Sequence, residues 1–495
     1  ALAFDQAAEL YLTSLRLGQH GPDERRRLHI LLGDALAHAN RAAEAAAAYL
    51  VVVDKADRAT RLEYGRRAAE QLLIGGLVDR GLAELRVVLG ELGLRLPETP
   101  RGALQSLVWN RIRLTLRGTR WKARDASKIT ASDLQLLELH KAVATGLSTV
   151  DYIRGADFNT RGLLLALKTG QPRQVAWSLC IEAALRAAEG AHRRPIVARL
   201  LGEASRIAEA EKDDYLRTHV CGTFGISDYL TGHFADAAKN MALAERSFRE
   251  HHAGSVWEVN NLRLFLLMSL RYLGRMRELN ELVDRYTREA EVRGDRWMQA
   301  GMARGMNQIW LLRDDVARAR ALQESAWSPP DMGFFHLQHW YALLGRGGLA
   351  LYTGEPEPFT RLREKLSVVE RSLLMRIQVV RVEHHWMAGR LAIAEGLVDE
   401  ARRRIRRLRA ERVPHADAWA ALLAAGVDCR PEVLRAALAQ AEAAGSLHAA
   451  TVVRYLLREP GSADELAGQG VRNPERLCQL VVPRWSGEAR KSSVI

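Results

Sequence analysis

GISDYLTGHFADAAKNMALA, residues 225–244, carries the spacing that decides the fold. Gly225 is followed twelve residues on by Ala237 and four further by Met241, with Gly232 between them and Ala244 beyond. Small residues at these offsets let two antiparallel helix backbones approach, and the large residue fills the gap they leave. The same offsets recur at Gly33, Ala45 and Tyr49, flanked by Leu32, Leu36 and Val52. They recur at Ala69, Gly76, Gly81, Leu85 and Val88, and at Gly389, Gly396, Ala401, Ile405 and Leu408. A weaker echo lies at Gly347 and Gly354. Gly33, Ala69, Gly225 and Gly389 are therefore the expected points of close helix approach.

These residues resemble the tetratricopeptide repeat. The resemblance implies an all-α fold, an α-solenoid of degenerate helix pairs wound into a right-handed superhelix. The step from Gly33 to Ala69 is 36 residues, slightly longer than the family period of about 34. Other steps are irregular, and the early aromatic of the first helix is mostly missing. About two dozen helices are expected, each touching mainly its neighbours.

Composition agrees. Of 495 residues, 48% are hydrophobic and only 6% aromatic, and the abundance of Ala, Leu, Arg and Glu favours helix. No Asn-Gly or Asp-Gly hairpin turn separates alternating apolar runs. No apolar run is long enough to span a bilayer; the longest, Ala42 to Val53, is broken by Glu44. Cys180, Cys221, Cys429 and Cys478 form no Cys-x-x-Cys pair, so isolated, mostly buried thiols in a reducing, cytoplasmic setting are expected. The chain starts at Ala1 and is amphipathic from its first residues, as expected of the C-terminal part of something longer or of a trimmed chain.

Three stretches interrupt the array. Leu94 to Pro100 ends one helix before Thr99-Pro100 starts another. Gly118 to Asp133 lacks helical period and reads as a loop, with Ser132 or Asp133 capping the next helix. Ser328 to Asp331 is the third. These breaks divide the array into residues 1–118, 119–330 and 331–482, with 483–495 as a disordered tail.

The densest block of unusual polar residues is LSTVDYIRGADFNTRGLLLALKTGQP, residues 147–172. Asp151, Arg154, Asp157 and Arg161 fall three, three and four apart, which puts them on one helix face with alternating sign. A solvated face would give weak ion pairs. The reading preferred is a buried junction between two parts of the array, where the charges fix one packing arrangement.

Catalytic signatures are missing from the sequence: no phosphate loop, no His-Arg-Asp or Asp-Phe-Gly, no Gly-x-Ser-x-Gly and no His-Glu-x-x-His. No catalytic, cofactor or metal residue is assigned. His336 and His339 share a helical spacing, and His384 and His385 are adjacent. The first pair sits among Phe334, Phe335, Leu337 and Trp340, so packing is favoured over metal binding.

The net charge is +13, from 72 Lys and Arg against 59 Asp and Glu. Residues 101–124 contain no acid, and Arg111, Arg113, Arg117 and Arg120 form a candidate interaction face with Trp109 and Trp121 beside it. A solvated helix or a docking face for an acidic partner is favoured there over nucleic acid. Arg402 to Arg409 covers too much of its helix circumference for one groove and reads as a solvated outer face.

LRLPETPRGALQSLVWNRIRLTLRG (94–118), VATGLSTVDYIRGADFNTRGLLLALKTGQP (143–172), GFFHLQHWYALL (333–344) and RNPERLCQLVVPRW (472–485) resemble the C-terminal region of large bacterial serine/threonine protein kinases. In that family a kinase domain is followed by a STAND-type ATPase and a long helical-repeat tail. The resemblance implies a non-catalytic, cytoplasmic sensing role: the tail takes a peptide, protein or small effector on its concave face and acts on the upstream kinase and ATPase domains. The alternative is a free-standing scaffold that binds nucleic acid or an acidic partner through its Arg-rich faces.

Overall fold

The computed structural model describes residues 2–75, 77–97, 99–147, 151–252, 254–293, 295–326, 337–355 and 357–485. Among them are 26 α-helices and no strand, close to the two dozen expected. Most helices pack on their neighbours along the chain, whereas Pro100–Arg117 packs on Tyr152–Thr169 and Arg58–Ile74 also packs on Ala131–Leu147. The chain is an all-α solenoid.

The offsets read from sequence show why. Helix Asp214–Leu230 is capped by Asp213, whose carboxylate accepts the Leu216 N–H, and ends in a turn where Gly232 takes φ +84°. Helix Phe234–His251 then returns along it. A Cβ on Gly225 would lie 2.6 Å from Met241 Cγ and 3.0 Å from the Met241 backbone nitrogen. The two backbones therefore approach as closely as a glycine permits. Gly33 meets the Tyr49 ring in the same way, at 2.5 Å from Cε1. Ala69 is 1% exposed. Gly389 packs against Leu423, which belongs to helix Pro414–Asp428, one helix beyond its own hairpin partner. Gly76 lies outside the described residues.

The interruptions differ in detail from expectation. Thr99 does cap helix Pro100–Arg117, accepting the Gly102 N–H at 3.1 Å. Residues 118–130 contain a short turn at Ala126–Lys128, and the following helix, Ala131–Leu147, is capped neither by Ser132 nor by Asp133. Thr130 does it: its hydroxyl accepts the Asp133 N–H at 3.1 Å and donates to the Asp133 carboxylate at 2.8 Å, a reciprocal arrangement that satisfies an otherwise orphaned donor. Ser328 to Asp331 and His336 lie outside the described residues. Trp485, placed in the tail by sequence, is 9% exposed and joins the core of the C-terminal helices. Residues 486–495 lie outside the described residues.

The array bends back on itself. The Ala191 backbone N–H donates to the Gln378 side-chain oxygen at 2.8 Å, 187 residues away. Phe234 packs edge-on against His415 with ring centroids 5.0 Å apart, and Gly274 packs against the His448 backbone. Turns from the middle of the chain thus seat on helices from its last third. No helix among the described residues is long and apolar enough to cross a membrane. No disulfide joins any of the four cysteines; Cys180 and Cys478 are buried, Cys221 and Cys429 half-buried.

Candidate functional site: an apolar chamber inside the coil

Folding back forms a half-open cavity of about 600 Å³. Helices Tyr152–Thr169, Pro172–Ala188, Asp214–Leu230 and Val256–Leu273 supply one wall. Leu337–Thr353 and Gln378–Glu395 supply the other, with the turn Leu373–Arg376 between them. The space exists because small residues face it: Gly155, Ala156, Ala184, Ala188 and Gly222. Ile226, Phe265, Trp340 and Tyr341 give it an apolar surface.

A few polar groups interrupt that surface. His219 is stacked between Trp177 and Tyr215, with ring centroids at 6.1 and 6.4 Å and planes within 14° and 4° of parallel. Burial pushes its pKa down to about 4, with the Lys141 charge adding to the effect, so the ring is neutral at pH 7. Its Nε2 has no hydrogen-bond partner. Glu258 accepts the Tyr215 hydroxyl at 2.7 Å. Glu383 accepts Trp340 Nε1–H at 3.2 Å and is ion-paired with Arg271. The Thr223 and Ser372 hydroxyls are committed elsewhere: Thr223 donates to the His219 carbonyl at 2.8 Å and Ser372 to the Val369 carbonyl at 2.7 Å. Neither is aligned with a base, so the lining fits binding better than nucleophilic chemistry.

Of the 151–161 charges, Asp151 lines the chamber, while Arg154, Asp157 and Arg161 are not part of its lining. Asp151 is the N-cap of helix Tyr152–Thr169: it accepts the Arg154 N–H at 3.1 Å and pairs with the Arg154 guanidinium, which also donates to the Pro97 carbonyl at 2.7 Å. Asp157 is fully buried and lies 2.7 Å from Arg161 Nη2. It accepts from Ser106 Oγ at 2.9 Å and Asn110 Nδ2 at 2.9 Å, both on helix Pro100–Arg117. The four residues are thus two pairs, 151 with 154 and 157 with 161, rather than one alternating ladder. The reason is that Asp151 precedes the helix and caps it. Sequence spacing gave no sign of Ser106 and Asn110, which are about fifty residues distant.

The basic face is partly spent inside. Arg111 pairs with the buried Glu182 of helix Pro172–Ala188. Arg113 donates to Asn110 Oδ1 at 3.3 Å. Arg117 donates to the carbonyls of Gly118, Arg120 and Leu167 at 2.9–3.0 Å. Arg120 is exposed. Trp121 donates to Glu203 at 2.8 Å and is half-buried. What sequence reading passed over is the apolar outer stripe of this helix. Val108, Trp109, Ile112 and Leu116 are 48%, 62%, 46% and 83% exposed. Their spacing at one, four and eight residues was the available signal.

Glu370, His384 and His385 bring three potential metal ligands within 4.8 Å of one another. Arg404 already occupies that cluster, paired with Glu370 and 3.2 Å from His385 Nδ1. A guanidinium supplies the positive charge there, so the residues read as packed ion-pair chemistry. His339 is half-buried on helix Leu337–Thr353.

No family model matches the chain, and no curated protein does. Among solved structures, a circular tandem repeat protein with novel repeat topology and enhanced subunit contact surfaces is 17% identical, over 94% of this chain and 97% of that one, with a TM-score of 0.12. The repeat character rests on this chain's own helices and their glycine contacts.

Proposed function

We propose that the chain is a non-catalytic binding and regulatory module whose chamber takes a small, largely apolar effector. The observation that carries this reading is the cavity of about 600 Å³, lined from both limbs of the coil by apolar and small residues with few polar groups. That size and lining are those of small-molecule sites in general. Because the lining comes from helices remote in sequence, an occupant touches both limbs at once. It favours the closed arrangement to the extent that it binds that arrangement better. The resemblance to the tails of bacterial kinase–ATPases supports the finer reading: a cytoplasmic sensor acting on kinase and ATPase domains upstream in the same polypeptide.

The test is a fluorescence titration with the neutral apolar probe N-phenyl-1-naphthylamine. Saturable binding at one site per chain is expected, weakened at least tenfold by Ala184→Trp, which projects a large ring into the chamber. Equal uptake by both proteins overturns the chamber. The finer reading is tested by the natural reading frame upstream of Ala1; kinase and ATPase motifs are expected there, and a frame that lacks both removes it.

A second reading rests on the exposed stripe Val108, Trp109, Ile112 and Leu116 beside Arg113 and Arg120. It is a docking face for an acidic partner with apolar anchors. Binding of an acidic amphipathic peptide that is lost in Trp109→Ala supports it. Binding that ignores this substitution but weakens steeply with salt points to phosphate-type contacts instead.

A further inference from the structure

Arg390 lies on helix Gln378–Glu395, two turns beyond Glu383, and is 8% exposed. Its guanidinium rests 4.6 Å above the Trp386 ring. One terminal nitrogen donates to the Leu480 carbonyl at 2.9 Å, and the other reaches only the Met387 sulfur at 3.7 Å. Its Nε–H has no partner. Among the described residues no carboxylate lies within ion-pair distance of it. A buried guanidinium without a counter-charge is costly, and native structures rarely leave one.

The surroundings add positive charge rather than remove it. Arg390 lines a cavity of about 130 Å³ together with Arg271, Glu383, Gln308, Ser446 and His448. Arg271 also has an Nε–H without a partner. The one carboxylate in the lining, Glu383, is already paired with Arg271. The lining thus holds two guanidiniums and one acid, which pairs with Arg271 alone. Burial, and the Arg271 charge after it, push the Arg390 pKa down to about 9, so at pH 7 it still carries its proton. His448 is held by Gln469 at 2.5 Å and kept low by burial, so it adds no second negative or positive partner. The volume is several times the roughly 10–15 Å³ that a single water needs.

We propose that this cavity is an oxyanion site, in which Arg390, assisted by Arg271, binds the carboxylate or phosphate of a small ligand. The missing charge, the unused N–H donors and the open space coincide at one place. Guanidinium N–H groups in a fork match the two oxygens of either anion. The site is separate from the apolar chamber: Glu383 lines both, but the proposal holds whether or not the chamber binds its effector.

The test uses the full chain at pH 7.5, with chloride adjusted to hold ionic strength constant. Thermal unfolding and calorimetry are followed against sodium phosphate in one series and sodium acetate in the other. A saturable rise in Tm of several degrees is expected in at least one series, and which series responds distinguishes phosphoryl from carboxylate ligands. Arg390→Met should lose that response while remaining as stable as the wild type without added anion, because the substitution removes an unpaired buried charge. Arg390→Lys, which keeps charge but not the fork, should bind at least tenfold more weakly. Three results overturn the proposal: no saturable response in the wild type, the same response in Arg390→Met, or an Arg390→Lys protein that binds as tightly as the wild type.

Discussion

The Gln378 side chain holds Ala191 across 187 residues: its oxygen accepts the Ala191 N–H at 2.8 Å, while its amide nitrogen donates to the Glu411 carbonyl at 3.1 Å. A single buried glutamine thereby ties a turn in the middle of the chain to a helix near its end. Gly190, at φ +122°, permits the approach, since a Cβ there would lie 2.5 Å from the Gln378 oxygen.

Gln378→Leu strands the Ala191 N–H and the Glu411 carbonyl. A buried donor left without a partner costs about 1–3 kcal/mol. Urea denaturation of the two proteins should show a loss in that range; no loss would mean the two limbs are not held there.

Asp157→Ala should be among the most damaging single changes. It leaves Arg161 uncompensated and removes the acceptor of Ser106 and Asn110. Breaking a buried pair from one side costs about 3–5 kcal/mol. A double-mutant cycle on Asp157 and Arg161, read by chemical denaturation, should give a coupling energy above about 1 kcal/mol. A coupling near zero at low and high salt would reduce this stretch to ordinary packing.

Gly225→Ala should cost more than Gly389→Ala. At Gly225 the new Cβ would meet the Met241 backbone nitrogen at 3.0 Å and the Ala237 carbonyl at 3.2 Å, and neither can rotate away. At Gly389 it meets the end of the Leu423 side chain, which can change rotamer. Overpacking of this kind costs about 1–3 kcal/mol. Equal melting temperatures for the two variants would contradict the geometry.

These contrasts show what the sequence made legible. Gly225, Ala237 and Met241 lie within one helical hairpin, so their offsets report a contact between neighbours in the chain. A repeat array consists largely of such contacts. Gln378 and Ala191, or Asp157 and Asn110, belong to different hairpins, and one hydrogen bond between them leaves no periodic trace. The chamber was illegible for the same reason: Ala184, Gly222 and Tyr341 share no local pattern and meet only when the coil folds back. Spacing alone does not say where a helix begins, so the capping role of Asp151 leaves no mark in the residue offsets.

Stability should fall in mild acid. Burial pushes His219 to about 4 and His415 to about 3, against about 6.5 for an unfolded histidine. Both stay neutral in the fold, so their contribution is complete above about pH 6.5. Below that the unfolded chain takes up protons that the fold does not, and stability drops by about 1.4 kcal/mol per pH unit for each such histidine until its folded pKa is reached. Urea midpoints should be lower at pH 5 than at pH 7.5, and His415→Leu should remove part of the slope. A midpoint unchanged between the two pH values would contradict this.

The chamber itself is tested most directly by hydrogen–deuterium exchange with and without saturating N-phenyl-1-naphthylamine. Added protection is expected in Tyr152–Thr169, Pro172–Ala188, Asp214–Leu230 and Gln378–Glu395, the helices that line the cavity on both limbs. Protection confined to the exposed face of Pro100–Arg117, or no protection at any lining helix, would contradict an apolar ligand site inside the coil.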